Sequence, residues 1–189
     1  MCMKQATLIL VRGLPGSGKS YLAHALGESL GQDHVVMLDP DSVDQDSPEY
    51  AEHVQSQVEE GVDPALHLYR FSRKKAWQGI EDGKIIIWNQ PFTNREVFDK
   101  MTSGLLAYAA EHDVSLKILV VDVQIDPEVA RARVEQRKNQ GGHGPSHDRF
   151  DRFVQEFTSF ADGYDTISVQ GDAAVNESVQ TILEAIKNA

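Results

Sequence analysis

The sequence predicts an α/β fold: a three-layer sandwich in which a mostly parallel sheet of about five strands is covered by helices on both faces. Three observations carry this. Short apolar runs of strand length alternate along the chain with longer stretches of helical periodicity. The 189 residues, 41% hydrophobic and 25% charged, hold enough apolar material for a core of ordinary size. No internal repeat, low-complexity tract or linker interrupts the alternation, so the strands belong to one parallel sheet.

The elements follow in order. Thr7–Val11 reads as a buried strand, and Tyr21–Leu30 as a helix with Leu22, Ala25, Leu26 and Leu30 on one side. Val35–Leu38 is a second strand, stopped by Asp39-Pro40. Helical patterns at Glu49–Glu60 and Ala65–Glu81 come next, and the Asp82-Gly83 turn leads into a third strand at Lys84–Trp88. Because both helices fall between strands two and three, they predict an inserted helical lobe over about residues 44–82. Asn94–Glu111 is helical, Leu116–Val121 a fourth strand, and Pro127–Lys138 and His147–Phe160 are helices. The run Gly141-Gly142-His143-Gly144-Pro145 between them cannot continue a helix and reads as a mobile loop. Thr166–Val169 is the fifth strand and Ala173–Lys187 the last helix. A single domain over residues 1–189 accommodates all of this.

Composition excludes several classes. The longest apolar runs are far too short to span a bilayer, and the N-terminus lacks a signal-peptide pattern. One cysteine, Cys2, rules out an internal disulfide and a thiolate metal cluster. A cytoplasmic enzyme or binding module fits these features. The net charge of −11 repels long nucleic acid on average. Asp39 to Asp63 carries nine acids and no Lys or Arg, whereas Arg131 to Arg152 carries six bases against three acids. Arg70, Arg73, Lys74 and Lys75 form a second basic island.

Gly13-Leu14-Pro15-Gly16-Ser17-Gly18-Lys19-Ser20 matches G-x-x-x-x-G-K-[ST] in full, between a strand and a helix. The glycines let backbone N–H groups turn inward around phosphate oxygens, and the helix N-terminus adds partial positive charge. Lys19 supplies a point charge for the β and γ phosphates, and the Ser20 hydroxyl is a ligand for Mg²⁺. Gly13, Pro15, Gly16, Ser17, Gly18, Lys19, Ser20 and Tyr21 are therefore expected on ATP. The fold expectation becomes a P-loop NTPase sandwich. The chain lacks N-K-x-D and D-x-x-G, against a guanine-reading switch, and no apolar strand ends in Asp-Glu, against the common water-activating ATPases.

Leu38-Asp39-Pro40-Asp41 closes the second strand, on the side of the sheet where parallel α/β folds bind ligands. In extended backbone the two carboxylates point the same way. One can take a proton from an attacking hydroxyl while the other orients Mg²⁺ through water. Asp41 is the expected base, with Asp39 closer to the metal. Asp122 reads as a strand-end carboxylate, His143 and His147 as loop residues rather than metal ligands, and Trp77 and Trp88 as packing. Arg133 and Arg137 share one helix face at i,i+4 spacing. With Arg149 and Arg152 across the glycine loop they form an arginine-rich lid over about 131–152. Such a clamp can neutralise charge on a transferred phosphoryl and exclude water.

The phosphate loop, the Asp-x-Asp after strand two and the arginine-rich lid after strand four together resemble the small P-loop kinases. The nearest resemblance is to the polynucleotide-kinase-like and zeta-toxin-like group, often labelled AAA-type ATPases. It implies a kinase-type strand order, Lys19 and Ser20 on ATP and Mg²⁺, Asp41 or Asp39 as base, and Arg137 or Arg133 on the phosphates. Many relatives end strand three with an Asp-Asn-Thr-like motif; here Trp88-Asn89-Gln90-Pro91 stands there, and only Asn89 fits. The expected activity is phosphorylation of a hydroxyl on a small molecule or nucleotide sugar. The alternatives are a nucleotide-gated ATPase or switch module and a polynucleotide 5′-hydroxyl kinase.

Overall fold

The computed structural model describes residues 3–188. Cys2, and with it the reading of the chain's only thiol, lies outside the described residues.

Five strands, β1 (Lys4–Gly13), β2 (Val35–Leu38), β3 (Ile85–Asn89), β4 (Val114–Gln124) and β5 (Asp165–Gln170), form one sheet in the order β2-β3-β1-β4-β5. Every neighbouring pair is parallel. The central strand alternates its side chains between two cores. Leu8 and Leu10 enter one core with Trp88 and Val120, whereas Ile9 and Val11 enter the other with Ile87 and Val121. The first core is closed by α3 (His67–Glu81), through Ala76 and Ile80, and by α4 (Arg95–Glu111), through Phe98, Met101 and Leu105. The second is closed by α1 (Lys19–Leu30), through Leu22, Ala23 and Leu26, and by α7 (Val175–Asn188), through Val179 and Ile182. Each fully buried Leu, Ile or Val in these layers contributes roughly 1.5–3 kcal/mol by leaving water.

A third, smaller core lies outside the sandwich. Ala130 and Val134 of α5 (Pro127–Asn139) and Phe150 of α6 (His147–Glu156) pack around Leu14, a residue of the phosphate-binding motif. An ion pair from Arg131 to Asp151 joins the same two helices. The basic segment expected as a freely hinged clamp is thus seated on the phosphate loop by a residue of the loop itself.

Three expectations change at element level. Strands β1 and β4 run beyond their apolar centres to take in Arg12 and Asp122, both buried, which hydropathy alone assigns to strand ends. Helix α6 stops at Glu156 instead of Phe160, because Phe160 turns into the first sheet core. The inserted lobe shrinks. Helix α3 lies on the sheet, and α2 (Pro48–Glu59) packs on α3 through Tyr50 and His53 against Phe71. Lys75 pairs with Glu49 and Arg70 with Glu60, so part of the second basic island is neutralised by the acidic run. Among the described residues no helix is long and apolar enough to cross a membrane.

The α2–α3 contact holds a buried imidazole. His53 Nε2–H donates to the His67 carbonyl (3.2 Å), and His67 reaches the Val62 carbonyl (3.2 Å). Burial lowers the His53 pKa from the usual 6.5; Lys74 and His67 push the same way, against the backbone bond and Glu60. A lowered folded pKa means that the unfolded chain takes up the proton first on acidification. The stabilisation from neutral His53 is therefore present above about pH 6.5 and is lost as pH falls toward the folded value. Melting temperatures of wild type and His53→Gln between pH 7.5 and 5 are expected to show a shallower acid decline in the variant. Parallel profiles would contradict this role.

Candidate active site

The phosphate loop leaves β1 at Gly13 and enters α1 through Gly18, whose φ of +90° is the left-handed N-cap conformation that favours glycine. The loop is wedged between two other backbones. A Cβ on Gly16 (φ +87°) would come within 2.3 Å of the Ala130 carbonyl oxygen on α5. On the other side, a Cβ on Gly171 would come within 2.2 Å of the Ser17 carbonyl oxygen. Gly171 directly follows β5 and is held by its N–H donating to the Gln124 carbonyl (2.7 Å). Neither space admits a side chain.

Arg133 closes the third side. Its Nη1 donates to the carbonyls of Gly171 (3.1 Å) and Gly16 (3.4 Å). The side chain expected on the phosphates is thus engaged with main chain, clamping α5 to the loop and to the β5–α7 turn. A cavity of about 290 Å³ opens beside it, lined by Ser17, Gly18, Tyr21, Arg133, Gly171 and Asp172 among others. Tyr21 is 69% exposed, so its ring is available at the cavity rim.

At the helix start, three side chains from three elements meet. Asn89, the last residue of β3 and 3% exposed, donates from Nδ2 to Ser20 Oγ (2.9 Å) and to Asp39 Oδ2 (2.8 Å). Asp39 Oδ1 accepts the Asp41 backbone N–H (3.1 Å). The chain does not continue extended through Asp41: Pro40–Ser42 forms a 3-10 turn capped by Asp39. The two carboxylates therefore differ. Asp39 is half-buried with both oxygens engaged, whereas Asp41 is exposed on the turn. Proline at the first position of that turn and an aspartate before it are the local reason it forms.

Lys19 is half-buried under the loop, with Nζ 3.3 Å from the Leu14 carbonyl. Burial pushes its pKa down to about 8, opposed by Asp39 and Asp41 and assisted by the nearby charge of Arg137. Arg137 thus lies within electrostatic reach of the lysine. Arg149 rests on the Phe153 ring (5.6 Å). Among the described residues no group of three His, Cys, Asp or Glu side chains converges as a metal site, and His143 and His147 stay apart from one. A Mg²⁺ ion carried by a nucleotide needs fewer protein ligands, and Ser20 and Asp39 are the oxygen donors present. Two buried atoms lack partners here, Ser17 Oγ in the loop and Asn89 Oδ1 beside Ser20. Unpaired polar atoms at a phosphate cradle fit a site completed by a hydrated ion and phosphate oxygens.

Three features of the site had weak or no sequence signal. Asn89 ends an apolar strand, but its double hydrogen bond is visible only when β2, β3 and α1 are brought together. Gly171 follows a strand like any turn glycine. Arg12 precedes the motif on β1 and reads as ordinary polarity, yet it is fully buried.

A parallel sheet in this order, with a phosphate loop from its central strand and an arginine-bearing helix seated on that loop, defines a P-loop fold of the kinase-like class. The chain belongs to the AAA domain family designated AAA_33, which matches residues 8–160. A protein from Chloroflexus aurantiacus described as a kinase superposes over 100% of this chain and 99% of its own, with TM-score 0.65 and 17% identity. A gluconokinase from Sinorhizobium meliloti aligns over 96% and 92%, with TM-score 0.59 and 17% identity. A fungal RNA kinase aligns over 98% and 86%, with TM-score 0.60 and 12% identity. At these identities the likeness speaks for the fold. No curated protein sequence matches the chain.

The lysine sets a pH dependence. Above about pH 8 nucleotide-free Lys19 is neutral, so a bound triphosphate must draw a proton onto it. Mg²⁺-ATP affinity is expected to fall by up to about tenfold per pH unit above that value. Lys19→Arg, which stays charged, should bind with little pH dependence between pH 7 and 9. Titrations at pH 7, 8 and 9 check this, and equal slopes for the two proteins would contradict it.

Proposed function

We propose that this protein is an ATP-dependent phosphotransferase acting on a hydroxyl of a small molecule or nucleotide sugar. The observation that carries the reading is the difference in burial and bonding between Asp39 and Asp41. Asp39 is fixed by Asn89 and by the turn backbone next to Ser20, the position of a metal-shell carboxylate. Asp41 stands exposed beside it and is close enough to Lys19 to influence its charge state. That arrangement suits a carboxylate that meets an acceptor at the edge of the phosphate loop.

In this reading the loop amides and Lys19 hold the triphosphate, and the cavity between Tyr21, Arg133 and Gly171 takes the base. Mg²⁺ on Ser20 and Asp39 would supply charge neutralisation at the phosphate oxygens. Asn89 occupies one lone pair of the Ser20 hydroxyl and aims the other outward. Asp41 receives the acceptor hydroxyl proton at a carboxylate oxygen as the acceptor's own oxygen attacks the γ-phosphorus. The bond from the γ-phosphorus to the bridging oxygen breaks and ADP leaves. Arg137 offsets charge on the phosphoryl in flight. The helices that seat the lid keep water away from it, which favours transfer over hydrolysis.

Charge argues for a small acceptor. Lys75 and Arg70, two of the four bases of the α3 island, are paired with Glu49 and Glu60, which reduces the positive charge the α2–α3 side offers a phosphodiester backbone.

The test measures ATP consumption over a panel of hydroxyl-bearing metabolites, nucleosides, sugars and RNA ends. Consumption is expected only with the matching acceptor. Asp41→Asn should retain Mg²⁺-ATP binding and lose at least ~100-fold in transfer, as for a removed general base. Asp39→Asn should also weaken the Mg²⁺ dependence. Acceptor-independent slow hydrolysis alone would favour a switch module, and near-wild-type turnover in Asp41→Asn would displace it as the base.

A further inference from the structure

Arg12 is the residue of β1 immediately before the phosphate loop, and its side chain is completely buried. Its neighbours on the same face of the strand, Leu8 and Leu10, are apolar. A cation there is costly unless it is fully paired, and it is not. Nη1 donates to the Thr158 carbonyl (2.8 Å), while Nε and Nη2 have no partner. Asp122, opposite Arg12 in the β1–β4 register, keeps its Oδ2 3.8 Å from Nη1, beyond hydrogen-bond length, and its Oδ1 is also without a partner. Two donors and one acceptor of this neighbouring pair are thus buried without partners.

The guanidinium is held by stacking. Its central carbon lies 3.7 Å from the Phe160 ring centroid and 4.2 Å from that of Phe157. Residues 157–160 are the strap that leads out of α6, the second lid helix. Beyond Phe160 the strap is tied to α4: Arg95 donates to the Asp162 carbonyl (2.9 Å) and Tyr164 to Asp99 (2.7 Å). Before Phe160 there are two polar tethers: Arg12 holds the Thr158 carbonyl from inside the core, and Thr93 donates to Glu156 (3.3 Å) at the end of α6.

We propose that Arg12 is a positioning residue for the lid. It ties the outgoing end of the lid to the strand that carries the phosphate loop, and it exchanges the Thr158 carbonyl for full pairing with Asp122 as the lid closes over bound nucleotide. The closed arrangement satisfies the donors and the acceptor that are idle in the present one. Coupling then runs through one side chain with two discrete sets of partners, which is what a two-state element requires. The proposal rests on the nucleotide-binding reading of the phosphate loop.

The experiment measures two quantities on the same samples: Mg²⁺-ATP affinity, and the rate of tryptic cleavage in the lid at Arg137, Lys138 and Arg149 with and without Mg²⁺-ATP. In wild type the nucleotide is expected to slow lid cleavage at least fivefold. The double variant Arg12→Met with Asp122→Asn removes both charges together. It should bind Mg²⁺-ATP within about threefold of wild type while its lid protection falls below twofold. Arg12→Lys keeps a charge facing Asp122 but loses the planar stack and the reach to Thr158; it should behave like the double variant, and it decides the matter if the double variant fails to fold. Full protection in a folded variant would overturn the proposal, as would a wild type that binds nucleotide without lid protection. Loss of nucleotide binding in wild type would instead sink the phosphate-loop reading, which the affinity measurement reads separately.

Discussion

The structure turns on a main-chain passage too narrow for side chains. The phosphate loop runs between the Ala130 carbonyl of α5 and Gly171 after β5, with glycine at both points of contact. Because the fit is backbone to backbone, three segments far apart in sequence are fixed to one another: the loop, the first lid helix and the turn that borders the base-sized cavity. Arg133 reinforces the junction by donating to carbonyls on both sides. The loop is thus held in shape by the chain itself, which lowers the ordering cost of binding a ligand there.

A second consequence concerns charge. The site gathers Lys19 and Arg137 near Asp39 and Asp41, and the residue that joins Asp39 to the start of α1 is a neutral amide. An aspartate at position 89 would set a carboxylate against Asp39 at hydrogen-bond distance. The amide donates to Asp39 and to Ser20 instead, so it orients both without adding like charge. Desolvation works against the charge on Lys19, and Asp39 and Asp41 offset part of that cost before any phosphate arrives.

Much of the fold was legible because its signals are local. Apolar runs mark all five strands, and the glycine pattern of residues 13–20 carries its own chemistry. What was not legible depends on partners brought by the fold. Asp122 looked like a strand-end carboxylate and Arg12 carried no signal, since nothing in their neighbourhood announces Phe157, Phe160 or each other. Helix α6 read as running to Phe160 because its periodicity continues, and tertiary burial of Phe160 stops it. Arg133 and Arg137 looked equivalent at i,i+4 spacing, but one turn of helix places Arg133 against main-chain carbonyls and Arg137 near Lys19. Asp39 and Asp41 looked like two carboxylates pointing the same way from extended backbone, and the turn begun by Pro40 gives them different settings.

The central claim is that this passage builds a triphosphate site whose charge is Lys19. Equilibrium unfolding with and without Mg²⁺-ATP tests it most directly, in wild type and in Lys19→Ala. At nucleotide a hundredfold above Kd the wild type should gain roughly 2.7 kcal/mol of stability, and Lys19→Ala close to none at the same concentration. An equal gain in both proteins would contradict the account.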